Sequence, residues 1–530
     1  MHSESEVKFN QILRDGFSRL GTLELGEEKF LTPAVIPFEK LEGFVGNTFV
    51  PLTLKELDPQ RFGMMRKEDE NFLVFNTPLS SLGNPRTISN LFEEFIFSKA
   101  PEKPVYAPIV DAYSIPILSY FGIDVFDTIS ADLAAEKGVF MLESGNYRVE
   151  DLKENPCSCI VCCEHGLDAF KDKELLRKHN ELVMERRAAL TRELIRKGEL
   201  RNFVESEVKK SPFYTALLRL FDSHWDERHP HPRFRKSKAI FCSQESFTRP
   251  EVSYFLKRSA EVYSPRTRVA VVLPCSARKP YLLSKSHRAL RAKVKFEGVN
   301  EIIVSSPLVT PRELELCYPA CNYDVAVTGY WSEDEVEFVA EKLAKLLEKF
   351  EKVVAYVSGG YRRAFERACE IAGTSGVVAE SAEELGRFIE ENGEERFDLY
   401  LEMFRHMFAY QFGKFPEDIE EMKVRGRYPE LTLYSGERVA RVDVSRGSLD
   451  VYDVDFVLST PYNVVIDDFK PKGTIFAVGV IKAWQGIKPG DTVAFENERW
   501  KGVGVARMSG VEMEKLREGY AIDVRRVVEK

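Results

Sequence analysis

Val269-Ala-Val-Val-Leu-Pro274-Cys275-Ser-Ala-Arg-Lys279-Pro-Tyr281-Leu-Leu-Ser284-Lys-Ser-His287 begins as a short apolar run and ends in small, polar and reactive side chains. The apolar part reads as a strand. Three further runs repeat the pattern downstream, at residues 302–304, 323–327 and 353–357, with helical patterns between them. Strands alternating with helices predict a parallel sheet, so residues 231–376 are expected to form a central α/β domain. One intervening helix is well signalled. Ser332 and Glu335 make a capping box, and Val336, Val339, Leu343, Leu346 and Phe350 line one apolar stripe.

In open parallel sheets, ligands bind beyond the carboxyl ends of the strands, so the residues after each strand are the candidates for chemistry. Here those ends are Pro274 and Cys275, Ser305 and Ser306, Thr328 and Gly329, and Ser358, Gly359, Gly360 and Tyr361. The first is the richest. Its strand delivers Cys275 to a turn leading into a helix, where backbone N–H groups and the helix dipole favour a thiolate. Ser284 and His287, three apart, are expected on one helical face, with Lys279 and Tyr281 in the loop before them offering an amine and a phenol. Singly, such residues are usually a buried filler, a surface charge or a structural imidazole. Together at one strand end they point to a catalytic set of Cys275, Lys279, Tyr281, Ser284 and His287. Pro274, Ser305, Ser306, Thr328, Gly329, Ser358 and Gly359 are the substrate-binding candidates.

Working outward, residues 1–230 mix short strands with Pro and Gly turns and finish in a charged helical stretch. The proline-, histidine- and arginine-rich residues 224–238 mark a boundary. Residues 377–450 read as a smaller α+β unit with its helices first. Residues 451–530 read as strands separated by glycine turns, Pro489-Gly490-Asp491 the plainest, which predicts a small β-barrel. The fold class is therefore α/β multidomain. With 530 residues, 44% hydrophobic and 30% charged, a chain of several globular domains is expected. No apolar run approaches the roughly 20 residues that span a bilayer, and the first residues lack a secretory pattern, so the cytoplasm is the expected compartment.

The net charge of −9 argues against a protein that coats nucleic acid indiscriminately. The last segment departs from that balance. From Lys470 to Lys530 twelve Lys and Arg stand against eight Asp and Glu. Cys157, Cys159, Cys162 and Cys163 form a cluster whose spacing suits metal or thiol chemistry better than a disulfide framework. No motif for ATP or a nicotinamide cofactor emerges, since Ser358-Gly359-Gly360 lacks the fuller glycine and lysine pattern that cradles phosphates.

The string PCSARKPYLLSKSH resembles the motif of archaeosine synthase, the archaeal paralogue of tRNA-guanine transglycosylase. Residues 305–315 (SSPLVTPRELE), 323–331 (YDVAVTGYW), 410–413 (YQFG) and 426–429 (GRYP) resemble the same family, so the likeness extends over essentially the whole chain. Residues 122–127 (GIDVFD) resemble the transglycosylase GVDLFD segment, and Cys157-Ser-Cys159-Ile-Val-Cys162 its zinc motif. The resemblance implies a degenerate, TIM-barrel-like transglycosylase domain holding a structural Zn²⁺ on Cys157, Cys159, Cys162 and His179, with His165 the alternative imidazole. The family's DSGGFQ-like and PTR-like segments are missing; residues 76–83 and 129–138 stand instead, and Asp127, in the place of the nucleophilic aspartate, reads as a structural relic. Residues 471–473, 479–482, 489–491 and 502–509 resemble a PUA domain, which implies RNA binding, with Lys482 and Arg507 as candidate phosphate contacts.

What the resemblance implies for function is amine addition to the nitrile of 7-cyano-7-deazaguanine at position 15 of tRNA. The implied donor is free lysine, or another amine, and a radical-SAM partner would complete archaeosine. Cys275 then attacks the nitrile or lines the pocket, and His287 and Tyr281 move protons. Transglycosylase-like barrels also imply a homodimer. Two alternatives stand beside this reading: base exchange by a true transglycosylase, and a noncatalytic tRNA-binding scaffold for the radical-SAM enzyme.

Overall fold

The computed structural model describes residues 7–45, 66–68, 72–75, 84–86, 88–90, 101–223, 230–327 and 330–530. Residues 76–83, Thr328 and Gly329 lie outside the described residues. The chain divides into two compact units. One holds residues 1–231 with 476–480 and 507–521; the other holds 232–475, 481–506 and 522–530.

The first unit opens with three antiparallel strands, Val7–Asp15, Ser18–Leu25 and Glu28–Thr32. A five-stranded sheet follows in the order Ala34–Ile36, Val125–Asp127, Val105–Ala107, Leu73–Phe75 and Arg66–Glu68, parallel except for the last pair. Among the described residues this sheet is open. The charged stretch expected after residue 168 is largely one 25-residue helix, Lys173–Lys197. Asp172 caps its start by accepting from the Glu174 amide, and Gly198 ends it in the left-handed conformation at φ 67°, where a side chain would be strained. Its buried face presents His179, Asn180, Val183 and Met184.

In the second unit the central sheet has five strands, in the order Val309–Pro311, Asn300–Val304, Val269–Pro274, Lys352–Ala355 and Gly376–Val378. All pairs are parallel except the first. The core strand Val269–Pro274 is buried from Val269 to Leu273, as its unbroken apolar run requires. Tyr323–Val325, expected to join this sheet, instead pairs in parallel with Ala239–Phe241 as a separate two-stranded sheet. Three residues give too little ladder for a register to be read from sequence alone. The helix Glu333–Leu347 carries the expected capping box.

Helices Ala382–Asn392 and Leu399–Phe412 precede a four-stranded antiparallel sheet spanning residues 423–451. A six-stranded sheet closes the chain. Its order is Thr474–Phe476, Tyr520–Glu529, Trp500–Ala506, Thr492–Glu496, Asn463–Ile466 and Val480–Ala483. No described helix is long and apolar enough to cross a membrane.

Candidate functional site

Two clusters of reactive side chains stand out, one in each unit. In the first, Cys157, Cys159, Cys162 and His179 bring three thiols and an imidazole nitrogen within 4.8 Å of one another. His179 Nδ1 lies 3.4 Å from Cys159 Sγ and 3.3 Å from Cys162 Sγ. Its Nε2–H donates to the Met141 carbonyl at 2.9 Å, which fixes the tautomer that leaves Nδ1 free to bind a metal. Asn180 holds the same hairpin by accepting from the Met141 amide and donating to the Val139 carbonyl. Phe140 stacks on the imidazole at 3.8 Å. Burial lowers His179 to about 4, so the ring stays neutral, as a ligand must be. Burial and the neighbouring Cys159 push the Cys162 thiol up. The set Cys₃His is the donor chemistry of a closed, tetrahedral zinc site. His179, rather than His165, completes the cluster because the long helix carries it back over the cysteine turn.

Elemental analysis of purified protein is expected to give one zinc per chain. Cys159→Ser should abolish that zinc and lower the melting temperature of this unit by roughly 10 °C. Full metal content in the variant would place the zinc elsewhere.

The second cluster lies at the carboxyl ends of the central strands. The Cys275 amide continues the ladder by donating to the Val304 carbonyl at 2.9 Å, which holds the half-buried thiol just beyond the sheet. The helix that follows in sequence, Lys285–Arg291, does not start until Ser284 has capped it. The helix end beside Cys275 is a different one, the start of Gly359–Ala372, whose Tyr361 hydroxyl lies 3.2 Å from Cys275 Sγ. The two meet because strands Val269–Pro274 and Lys352–Ala355 are neighbours.

Lys279 places its ammonium 3.9 Å from the centre of the Tyr323 ring. Burial lowers its pKa, while the charges of Cys275 and Asp324 oppose that fall. The Tyr323 hydroxyl shares a 2.6 Å hydrogen bond with that of Tyr281, and Ser305 borders Tyr323 as well. Tyr281 has no exposed surface, and burial drives its phenol well above the ordinary range.

Ser284 and His287 are not a reactive pair. The Ser284 hydroxyl accepts from the His287 amide as a helix cap. His287 Nε2–H donates to the Pro274 carbonyl at 3.0 Å, and Nδ1 accepts from Arg312 at 2.9 Å. With both nitrogens engaged and 5% of its surface exposed, the imidazole holds the strand end in place and has no nitrogen left to shuttle protons. Arg312, wholly buried, also pairs with Glu301 and Glu315 at 2.7 Å each, and Glu315 accepts from the Tyr281 amide and the Tyr428 hydroxyl. Ser305 and Ser306 are buried just after the strand Asn300–Val304, and Ser358 and Gly359 are exposed at the start of the Tyr361 helix. Lys482 and Arg507 are both exposed.

The imidazole gives this network a pH dependence. Burial, then the Arg312 charge, lowers His287 to about 4, against about 6.5 in an unfolded chain. A depressed histidine contributes stability that is fully present above pH 6.5 and is lost as pH falls through 4, about 3 kcal/mol in all. His287→Gln is expected to flatten this acid limb in urea unfolding measured from pH 7 to pH 4. An unchanged limb would assign the acid sensitivity to other groups.

The residues to which motif reading gave no role are Tyr361, Tyr323, Arg312, Glu301 and Glu315. All but Glu301 lie in stretches that the motif comparison quoted or at a named strand end, but a tyrosine or a paired arginine has no signature until its partner is seen. The Asp127 carboxylate is also accounted for. It accepts from the Tyr106 hydroxyl at 2.6 Å and from the Ile109 and Ile129 amides, and it has no exposed surface.

Residues 84–212 match the queuine tRNA-ribosyltransferase family, 464–528 the PUA domain, 397–456 a pre-PUA domain and 252–386 a domain of unknown function. The archaeosine synthase subunit alpha of Methanosarcina acetivorans is 37% identical over 81% of this chain and 75% of its own length. The chain belongs to the archaeosine synthase family. The archaeosine synthase of Haloferax volcanii is 30% identical, covering 80% of this chain and 77% of that protein. A tRNA-guanine(15) transglycosylase of Methanobrevibacter smithii is more distant, at 24% identity over 77% of this chain and 64% of its own length. Within the family frame, the first unit carries the transglycosylase-like domain with its Cys₃His cluster, and the motif that resembles archaeosine synthase carries the thiol site.

Proposed function

We propose that this chain acts in archaeosine formation by adding the side-chain amine of free lysine to the nitrile of 7-cyano-7-deazaguanine at position 15 of tRNA. The observation that carries the reading is the convergence of the Cys275 thiol, the Tyr361 hydroxyl and the Lys279 ammonium beyond the central strands. A nitrile carbon needs a nucleophile, its nitrogen needs a proton or cation as charge develops, and the two ends must be held together. Cys275 supplies the nucleophile and forms a thioimidate; Lys279 is the cation beside the developing charge. Residues 1–230 form the transglycosylase-like domain, 231–376 the catalytic domain, 377–450 the α+β connection and 451–530 the RNA-binding domain, where Lys482 and Arg507 meet phosphates. A radical-SAM partner then cleaves the lysine adduct, and the chain works as a homodimer in the cytoplasm.

The burial of Asp127 among three hydrogen-bond donors disfavours base exchange, because a nucleophile for that reaction must be reachable. The test is mass spectrometry of nucleosides from tRNA bearing the nitrile base, incubated with the protein and lysine. A gain of one lysine is expected. An unaltered nitrile nucleoside, from tRNA shown to bind, would overturn the reading in favour of a scaffold.

A further inference from the structure

Among the described residues, and beside the Lys279 cation, the thiol site has four phenol and imidazole groups able to carry protons, and three of them are spent. His287 has both nitrogens engaged, and the Tyr281 and Tyr323 hydroxyls face one another in the interior. The fourth is Tyr361. Its hydroxyl lies on the sulfur, and its ring is only partly buried. Its position is built by packing. Trp331 lies against the Tyr361 ring, with centroids 4.7 Å apart, and against Gly360, where a side-chain carbon would stand 2.5 Å from the indole. Only glycine lets the helix start this close to Trp331, and that closeness sets the hydroxyl on Cys275.

We propose that Tyr361 is a catalytic residue that relays protons between Cys275 and the substrate nitrogens, an assignment that rests on the amine-addition reading above. In the first step the sulfur–carbon bond forms, the thiol proton passes to the Tyr361 oxygen, and the Tyr361 proton passes to the nitrile nitrogen. The product is a neutral thioimidate. In the second step the amine nitrogen bonds to the same carbon and the carbon–sulfur bond breaks. An amine proton passes to Tyr361, which returns its own to the leaving sulfur, giving the amidine and the free thiol. No other reactant is consumed. The phenol suits this relay because burial and the adjoining Cys275 keep it protonated until a stronger base forms beside it.

Tyr361→Phe keeps the ring against Trp331 and removes only the hydroxyl. Two measurements are made on the full chain. Lysine-adduct formation is expected to fall about a hundredfold in kcat with little change in KM. Alkylation of Cys275 by iodoacetamide, followed by peptide mapping with Cys275→Ser as the blank, is expected to slow about tenfold, because the thiolate loses a hydrogen-bond donor. Alkylation at the wild-type rate overturns the relay whatever the tRNA assay gives. Slowed alkylation with no adduct even from wild type would keep the Cys275–Tyr361 coupling and sink the amine-addition reading, and the relay with it. Wild-type turnover in Tyr361→Phe, with Cys275→Ala inactive, would overturn the relay alone.

Discussion

Cys275→Ala is expected to reduce lysine-adduct formation at least about a thousandfold, with tRNA binding unchanged. Removing the attacking atom deletes a covalent intermediate that the neighbouring groups are arranged to serve, and losses of this size follow when a nucleophile and its partners act as a unit. The substitution itself is mild for the fold. Cys275 is half-buried, its backbone amide bond to Val304 survives, and its Sγ has Tyr361 as its hydrogen-bond partner. A folded, tRNA-binding, inactive variant is therefore the predicted outcome, checked by nucleoside mass spectrometry beside a filter-binding titration. Adduct formation at the wild-type rate would leave Cys275 as pocket lining and direct attack by the amine as the mechanism.

Arg312→Leu is expected to destabilise the second unit by about 3–5 kcal/mol, the cost of removing one member of a buried ionic cluster and leaving its partners uncompensated. Glu301 would keep Arg291 but lose the stronger of its two cations, and Glu315 would keep the Tyr281 amide and the Tyr428 hydroxyl but lose the charge that offsets its burial. Burial raises the Glu301 pKa, and Arg312 with Arg291 more than reverses that. Urea unfolding followed by circular dichroism checks the loss. Adding Glu315→Gln should return part of it, since that position then carries no unpaired charge while Glu301 keeps Arg291. A single variant that unfolds at the wild-type urea concentration would show that the cluster is not the support of the site.

Arg312 links the two kinds of result. It holds His287 and, through Glu315, the backbone at Tyr281, and these in turn fix both ends of the segment from Pro274 to Ser284 that carries Cys275 and Lys279. Loss of the arginine should therefore cost activity even where the fold survives.

The apolar run Val269–Leu273 could only be a buried strand, and the capping box at Ser332 and Glu335 could only start a helix, because these outcomes depend on side chains close together in sequence. The metal set was legible at all four positions: spacing picked out the cysteines, and the family resemblance named His179 with His165 as the alternative. The 25-residue helix shows why His179 serves, by folding back over the cysteines. The chemical segment was visible as a motif, yet the roles within it were not. Ser284 is a cap and His287 a strut because of where the Lys285–Arg291 helix lies against Pro274 and Arg312. The sequence by itself determined which residues form strands, helix starts and the cysteine cluster, since local periodicity and spacing suffice for these. Only the tertiary structure decided that Tyr361 meets Cys275 and that Arg312 meets Glu301. Those contacts depend on which strands become neighbours, and sheet order is set by packing over the whole domain.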